Sequence, residues 1–567
     1  MATTYDNASL VMIPSGIKES KLYSIKPTDG SGDFTFSRGT DTATRVNASG
    51  LIEKERSNQL LQSNTFDNAA WTLKRTGSNP LPSVTSGFID PDGGTNAYRF
   101  QVTAPSADND YSIISQTPSF SGVTGTPFVQ SIYVKANGAG QIGKFFDLYA
   151  YQPSSSSYRS VENFELTGDW QRVELFHTFN ATGSTMEIVF GKARSSAGGS
   201  TLANMATDVL IYSSQLEFGL AATSPVIETT TAAVYEGITD NLPRLDYSGG
   251  ASCPSLLLEP SRTNYLPDGE YIANWAGANT TIVTNATTSP EGLQNAHSVT
   301  FASGGYWYKS VSISYTAGQA YTWSIYTTTQ DTITRWGGST PAGTDTLSIE
   351  DAGNGWYRQS LTRVVSGSGT ANFQPLMDAV FVGVGTTFYV YGAQIEAGHL
   401  TSYIPTYGTS ASRAGDVCNG AGDSSTFNDS EGVLYAEISA LANDSSNRII
   451  SVSDGSGSNR LLIKYDNSSN LIEASLTDGG IDQAVLTHTY TIVSDAKIAF
   501  KYKANDFALW VNGVEVDTDN SGTTPSGLDT LNFDNGSGGS AFYGNAKQIL
   551  YFPTALTDAE LAALTTI

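Results

Sequence analysis

Cysteine is almost missing from this chain of 567 residues: there are two, Cys253 and Cys418. A small disulfide-stapled secreted scaffold would carry many more. Histidine is as scarce, with His177, His297, His399 and His488, and none of them has the spacing of a metal-binding HExxH helix. Charged residues make up 15% of the chain, and basic ones are outnumbered 30 to 54, for a net charge of −24. That balance argues against nucleic acid, whose binding rests on Lys and Arg neutralising phosphates, and against an anionic membrane surface. No apolar run approaches the ~20 residues of a membrane-spanning helix. The opening MATTYDNASLVMIPSG lacks the basic and apolar regions of a secretory signal, which predicts synthesis and folding in a cytoplasm. Heptads are absent, so no coiled-coil shaft is expected. GxSxG, Walker A and dinucleotide fingerprints are missing too.

What is present points to β structure. Gly contributes 56 residues, Tyr 29 and Phe 24. Aromatic and β-branched residues suit a pleated, half-buried surface, and Gly, Asn, Asp and Ser suit its turns. The length predicts three or four domains.

The chain also repeats itself. KERSNQLLQSNTFDNAAW at 54–71 resembles EPSRTNYLPDGEYIANW at 259–275. Arg56-Ser57-Asn58 matches Arg262-Thr263-Asn264 at an offset of 206, and Trp71 matches Trp275 at 204. Pro91-Asp92-Gly93 matches Pro290-Glu291-Gly292 at 199, and Ser131-Ile132-Tyr133 matches Ser324-Ile325-Tyr326 at 193. Trp170 and Arg172 match Trp356 and Arg358 at 186, and Gln215-Leu216-Glu217 matches Gln394-Ile395-Glu396 at 179. The order is kept while the offset only falls, as expected of two copies of one fold whose second copy has shorter loops. Alternating runs such as FVQSIYVKA, WQRVELFHTF and DVLIYSSQLEF, and in the second copy YTWSIYTTT, WYRQSLTRVV and TTFYVYGAQIEAG, predict antiparallel sandwiches. The matched Trp71, Trp275, Trp170 and Trp356 read as inter-sheet core, and Trp323 and Trp510 as core within strands.

After a linker, DSSTFNDSEG, a third module begins with EGVLYAEISAL. Its Asn512-Gly513 predicts a two-residue hairpin, and Thr557 with Glu560 a helix capping box.

Several motifs carry a resemblance. SGDFTFSRGTDTATRVNASGLIE (31–53) resembles a segment of tailed-bacteriophage fibre and spike proteins. NLPRLDYSGGASCPSLLLEPSRTN (241–264) and YGAQIEAGHLTSYIPTYGTSASRAGDVC (391–418) resemble the start and end of a carbohydrate-binding-like jelly-roll module of the same proteins. The last module is similar to laminin-G/concanavalin-A-like lectin domains. The resemblance implies an all-β chain of tandem antiparallel jelly-roll sandwiches with a concanavalin-A-like sandwich at the end. The boundaries expected are an N-terminal virion-attachment segment at 1–33, a connecting β segment at 34–53, sandwich copies at 54–232 and 258–418, a linker or hairpin at 233–257, a linker at 419–430 and the lectin-like module at 431–567. It implies a non-enzymatic head or tail fibre, exposed on the virion as a homotrimer. Its partners would be capsid or tail proteins, bound through the N-terminal segment, and host-surface polysaccharide, with no nucleic acid and no membrane insertion. A polysaccharide-degrading spike (glycoside hydrolase or lyase) and a bacterial adhesin are the alternatives. Cys253 and Cys418, at the two edges of a jelly roll, are left open as a disulfide or as two free thiols.

For sugar binding, the expected residues are the tryptophans outside the repeat and their neighbours. These are Trp336 with Arg335 in TRWGGST, and Trp307 with Tyr306 and Tyr308 in GGYWYKS. Clustered carboxylates in turns suit a hard cation, so Asp90 with Asp92, and Asp517 with Asp519, are the positions where Ca²⁺ would be held if any cofactor is. No catalytic residue is assigned.

Overall fold

The computed structural model describes residues 4–567 except positions 79, 104, 121 and 184. The described chain is all-β, with every ladder between strands antiparallel and helix confined to short turns and one terminal element, Asp558–Thr565. Thr557 caps that helix and Glu560 completes the box, as its sequence predicts. Among the described residues no helix is long and apolar enough to cross a membrane.

The first sandwich is two five-stranded sheets. One runs in the order Gln171–Thr178, Pro127–Ala136, Asp208–Phe218, Ala97–Gln101, Ser83–Phe88. The second sandwich repeats that order as Trp356–Val365, Ala320–Thr327, Thr387–Ala397, Ala296–Tyr308, within a larger sheet. The repeat extends to single atoms. Gln215 donates to Glu217 and accepts the Ile227 amide; Gln394 donates to Glu396 and accepts the Ile404 amide. Arg172 and Arg358 each donate to a strand serine, Ser131 or Ser324, and to a loop carbonyl, Thr223 or Thr401. The conserved order of matches in the sequence therefore reflects one polar framework used twice. Trp71, Trp275, Trp323, Trp356 and Trp510 are buried. Trp170 is half-buried against Tyr212, with ring centroids 6.4 Å apart, and is not part of the core.

The third unit corrects the expected boundaries. Its eight-stranded sheet combines Glu431–Ala440, Ala496–Lys503, Phe507–Val511, Val514–Asp519 and Gly544–Phe552 with strands from far away in sequence. Leu10–Met12 and Ser255–Leu258 both pair with Gly544–Phe552, and Arg244–Asp246 pairs with Ser255–Leu258. Leu10, Met12, Leu22, Phe34 and Phe36 lie in one core with Leu434, Ile463 and Phe500. The expected boundary at 33 is therefore not a structural one, because Leu10, Met12 and Leu22 share this core with the last module. The 419–430 linker is likewise built in, because Phe427 is buried in that core and Asn428 donates to the Pro553 carbonyl at 2.7 Å. The two sandwiches are insertions into a unit drawn from the start, middle and end of the chain. The 233–257 hairpin does form, but as an extension of this unit's sheet. Asn512 and Gly513 have φ of 50° and 85°, the left-handed pair that a two-residue hairpin turn requires.

The segments that carry the resemblance meet at one joint. Arg38, Arg244 and Arg413 are buried with Glu259 and Asp416. Arg244 bridges Glu259 and Asp416; Arg413 holds Glu259 at 2.8 Å and Arg38 holds Asp416 at 3.4 Å. Burial alone would raise the Glu259 carboxyl; Arg413 and Arg244 outweigh it and hold it at about 2. Removing one partner from such a cluster strands a buried charge and is strongly destabilising. Cys418 is buried beside it, Cys253 is exposed, and both are free thiols.

Candidate functional site

Strand alternation decides which of the sequence-predicted residues can meet a ligand. In the second sandwich, Tyr306, Trp307 and Tyr308 lie opposite Asp378, Met377 and Leu376, and Arg335 and Trp336 lie opposite Leu376 and Pro375. Directly opposed residues share a face, and neighbours along a strand alternate. Trp307, Met377 and Trp336 therefore point inward. Tyr306, Tyr308, Leu376, Asp378 and Arg335 point outward.

The burial follows. Trp307 is 1% exposed and packs on Trp275 with centroids 5.1 Å apart. Trp336 is 7% exposed, 5.7 Å from Phe373 and 6.5 Å from Trp323. Both were expected to stack on a ligand; both are core, because their strands bring every second residue inside. Tyr306, at 41% exposed, stays outside and stacks on Tyr308 with centroids 6.0 Å apart and planes inclined by 27°. Arg335 pairs with Asp378 at 2.9 Å beside them. Asp378 is fixed in turn, since its other oxygen accepts the Val380 amide at the start of a short helix, Ala379–Val382. Three of the five expected residues are thus assembled on one face: an aromatic pair next to an oriented ion pair.

The carboxylates expected to hold a cation are engaged in hydrogen bonds, Asp90 and Asp519 within their own turns and Asp92 and Asp517 also with residues of other strands. Asp90 accepts the amides of Asp92, Gly94 and Asn96 and the Asn96 side chain. Asp92 accepts the Tyr212 hydroxyl at 3.2 Å. Asp517 accepts the Thr487 and Thr518 amides, and Asp519 the amide and hydroxyl of Ser521. Turn geometry accounts for Asp90 and Asp519. Among the described residues no group of three or more His, Cys, Asp or Glu side chains is placed to hold a metal ion.

A second feature was not visible in the sequence. A cleft of about 590 Å³ opens where the two sandwiches meet. Phe218 of the first module and Tyr407 of the second stack at its floor, with centroids 6.1 Å apart and planes inclined by 25°. Tyr235, 49% exposed, also lines it, with Asp41, Glu55 and several threonines. Lys54 contributes to the wall, but its ammonium is drawn to the buried Glu270 and Glu291. Burial, then the charges of Asp41 and Asp240, push the Glu55 carboxyl up to about 8. The lining comes from stretches as far apart as 41–59, 122–126, Phe218, Tyr235 and 405–411, so no local motif announces it.

No family model matches the chain, and no curated protein matches it. Some solved structures are similar in part. A carbohydrate-binding module (CBM40) of a Ruminococcus gnavus sialidase, bound to α2,3-sialyllactose, is 18% identical over 25% of this chain and 84% of that one, at a TM-score of 0.22. The tandem CBM22 domains of Paenibacillus barcinonensis Xyn10C are 13% identical over 64% of this chain and 99% of their own, also at 0.22. The LG1-3 region of the laminin alpha2 chain is 10% identical over 78% and 95%, at 0.14. At these scores the likenesses add no weight to fold or ligand; the sheets described above define the fold by themselves.

Proposed function

We propose that this protein is a structural component of a bacteriophage virion, a head or tail fibre whose sandwich modules hold glycans of a bacterial surface. The observation that carries the glycan reading is the outward Tyr306–Tyr308 pair beside the Arg335–Asp378 ion pair. An exposed aromatic face suits the apolar face of a sugar ring, and a few fixed polar groups beside it suit the hydroxyls. The role is binding, with no catalysis assigned. The virion reading rests on the resemblance of residues 31–53, 241–264 and 391–418 to fibre and spike segments.

On this reading the capsid or tail partner is met by the folded terminal unit, since residues 10–12 are a strand of its sheet. A homotrimer would multiply weak sites into useful avidity without new contacts. The test has two parts. Purified particles should contain the protein, and the isolated protein should bind polysaccharide from the host surface. Absence from particles contradicts the virion role. Failure to bind any host polysaccharide contradicts the glycan role.

A further inference from the structure

The cleft between the sandwiches has no part in the reading above, and its construction is that of a built site. Its two sides are fixed against each other by contacts between modules. Gly408 has φ of +94°, and a Cβ there would come within 2.5 Å of Thr126 Oγ1 in the first module, so the two backbones approach as closely as glycine permits. The Asn285 side chain donates to the Leu220 carbonyl at 2.7 Å, and Phe176 meets Tyr271 at 5.3 Å. A preformed cleft loses little freedom on binding. Its volume falls within the roughly 300–1,000 Å³ of small-molecule sites.

We infer that this inter-module cleft is a second saccharide site, and that it takes a short uncharged oligosaccharide. The Phe218–Tyr407 stack and the half-exposed Tyr235 supply aromatic surface. The Thr409 hydroxyl can donate and accept, while the Thr42 hydroxyl, which donates to the Ser412 carbonyl at 2.8 Å, is left with acceptor capacity. The charge of the lining sets the class of sugar. Asp41 and Glu55 face the cleft, while the Lys54 ammonium is already compensated by Glu270 and Glu291. An anionic sugar would meet negative charge with no free cation among the described lining residues. That negative charge is Asp41's; Glu55, its carboxyl pushed up to about 8, is protonated at neutral pH and can donate to a sugar hydroxyl as well as accept. The inference deepens the glycan reading but stands on residues remote in sequence from Tyr306.

The experiment is calorimetric titration of the full chain with cellotriose, maltotriose and N,N′,N″-triacetylchitotriose at millimolar concentration, with sialyllactose as the acidic comparator. At least one neutral trisaccharide should bind. Tyr235→Ala should weaken that binding by about tenfold or more, and Thr409→Trp, which fills the mouth from an exposed position, should remove it. Ile481→Ala, at an exposed position outside both sites, should leave it unchanged. No binding by any of the three neutral sugars, binding untouched by both cleft variants, preference for sialyllactose, or cleavage of the probe would each overturn the assignment. If Tyr306→Ala abolishes polysaccharide binding while the cleft variants do nothing, the outward face remains the glycan site and the cleft is not one.

Discussion

Asn58 and Asn264, 206 residues apart in the chain, make the same four hydrogen bonds in their two modules. Asn58 donates to the Ser214 and Ile227 carbonyls and accepts the Leu60 and Leu216 amides. Asn264 donates to the Ala393 and Ile404 carbonyls and accepts the Leu266 and Ile395 amides. Each is fully buried and ties the entering strand to the strand that closes the sandwich. Truncation to Ala strands buried partners at a cost of about 1–3 kcal/mol apiece. Asn58→Ala and Asn264→Ala should therefore each lower the stability of one module by several kcal/mol. Separate melting transitions, followed by calorimetry, will show whether each variant moves only its own.

Trp336→Ala and Trp307→Ala should each cost about 3–5 kcal/mol in urea unfolding, as for large core aromatics. A loss below about 1 kcal/mol at either position would mean that strand alternation does not place it inside.

The acid stability of the joint is set by its depressed carboxylate. Glu259 is held at about 2, below the ordinary range, so the stabilisation it gives is complete above pH ~4.5 and is lost as pH falls towards 2. Melting temperature should drop over that interval. Glu259→Gln should be less stable at neutral pH and should flatten the drop.

Glu55 runs the other way. Its folded pKa of about 8 lies above the unfolded one, so the folded state binds the proton more tightly and stability falls as pH rises from about 4.5 to 8. Glu55→Gln should leave the melting temperature near that of the parent at pH 4 and raise it relative to the parent at pH 9.

Much of this was legible in the sequence, and the parts that were not share a cause. Strand runs such as Asp208–Phe218 and Trp356–Val365 carry their own alternation and turn signals, and the duplication survives as an ordered series of matches. Tyr306, Tyr308 and Arg335 entered only as neighbours of Trp307 and Trp336, and strand alternation turns them outward where the tryptophans go in. Trp307 and Trp336 were misjudged because a Gly-rich neighbourhood suggests an exposed loop, whereas Ala296–Tyr308 continues as strand through Gly304 and Gly305. The pairing of Leu10–Met12 with Gly544–Phe552 could not be read locally, since a strand of three residues has no period of its own and its partner lies over 500 residues away. The cleft failed to show for the same reason: Tyr235, Phe218 and Tyr407 are neighbours only after folding.

The account rests most heavily on the outward aromatic face, and one comparison tests it directly: binding of the parent, Tyr306→Ala and Arg335→Ala to a panel of bacterial surface polysaccharides. Tyr306 is half-exposed, so Tyr306→Ala should keep stability within about 0.5–1 kcal/mol of the parent, whereas Arg335→Ala takes the cation from the buried Asp378 and is used at a temperature where melting shows it folded. The parent should bind at least one polysaccharide, and both folded variants should lose most of that binding. Undiminished binding by both variants would contradict the claim that this face holds the glycan.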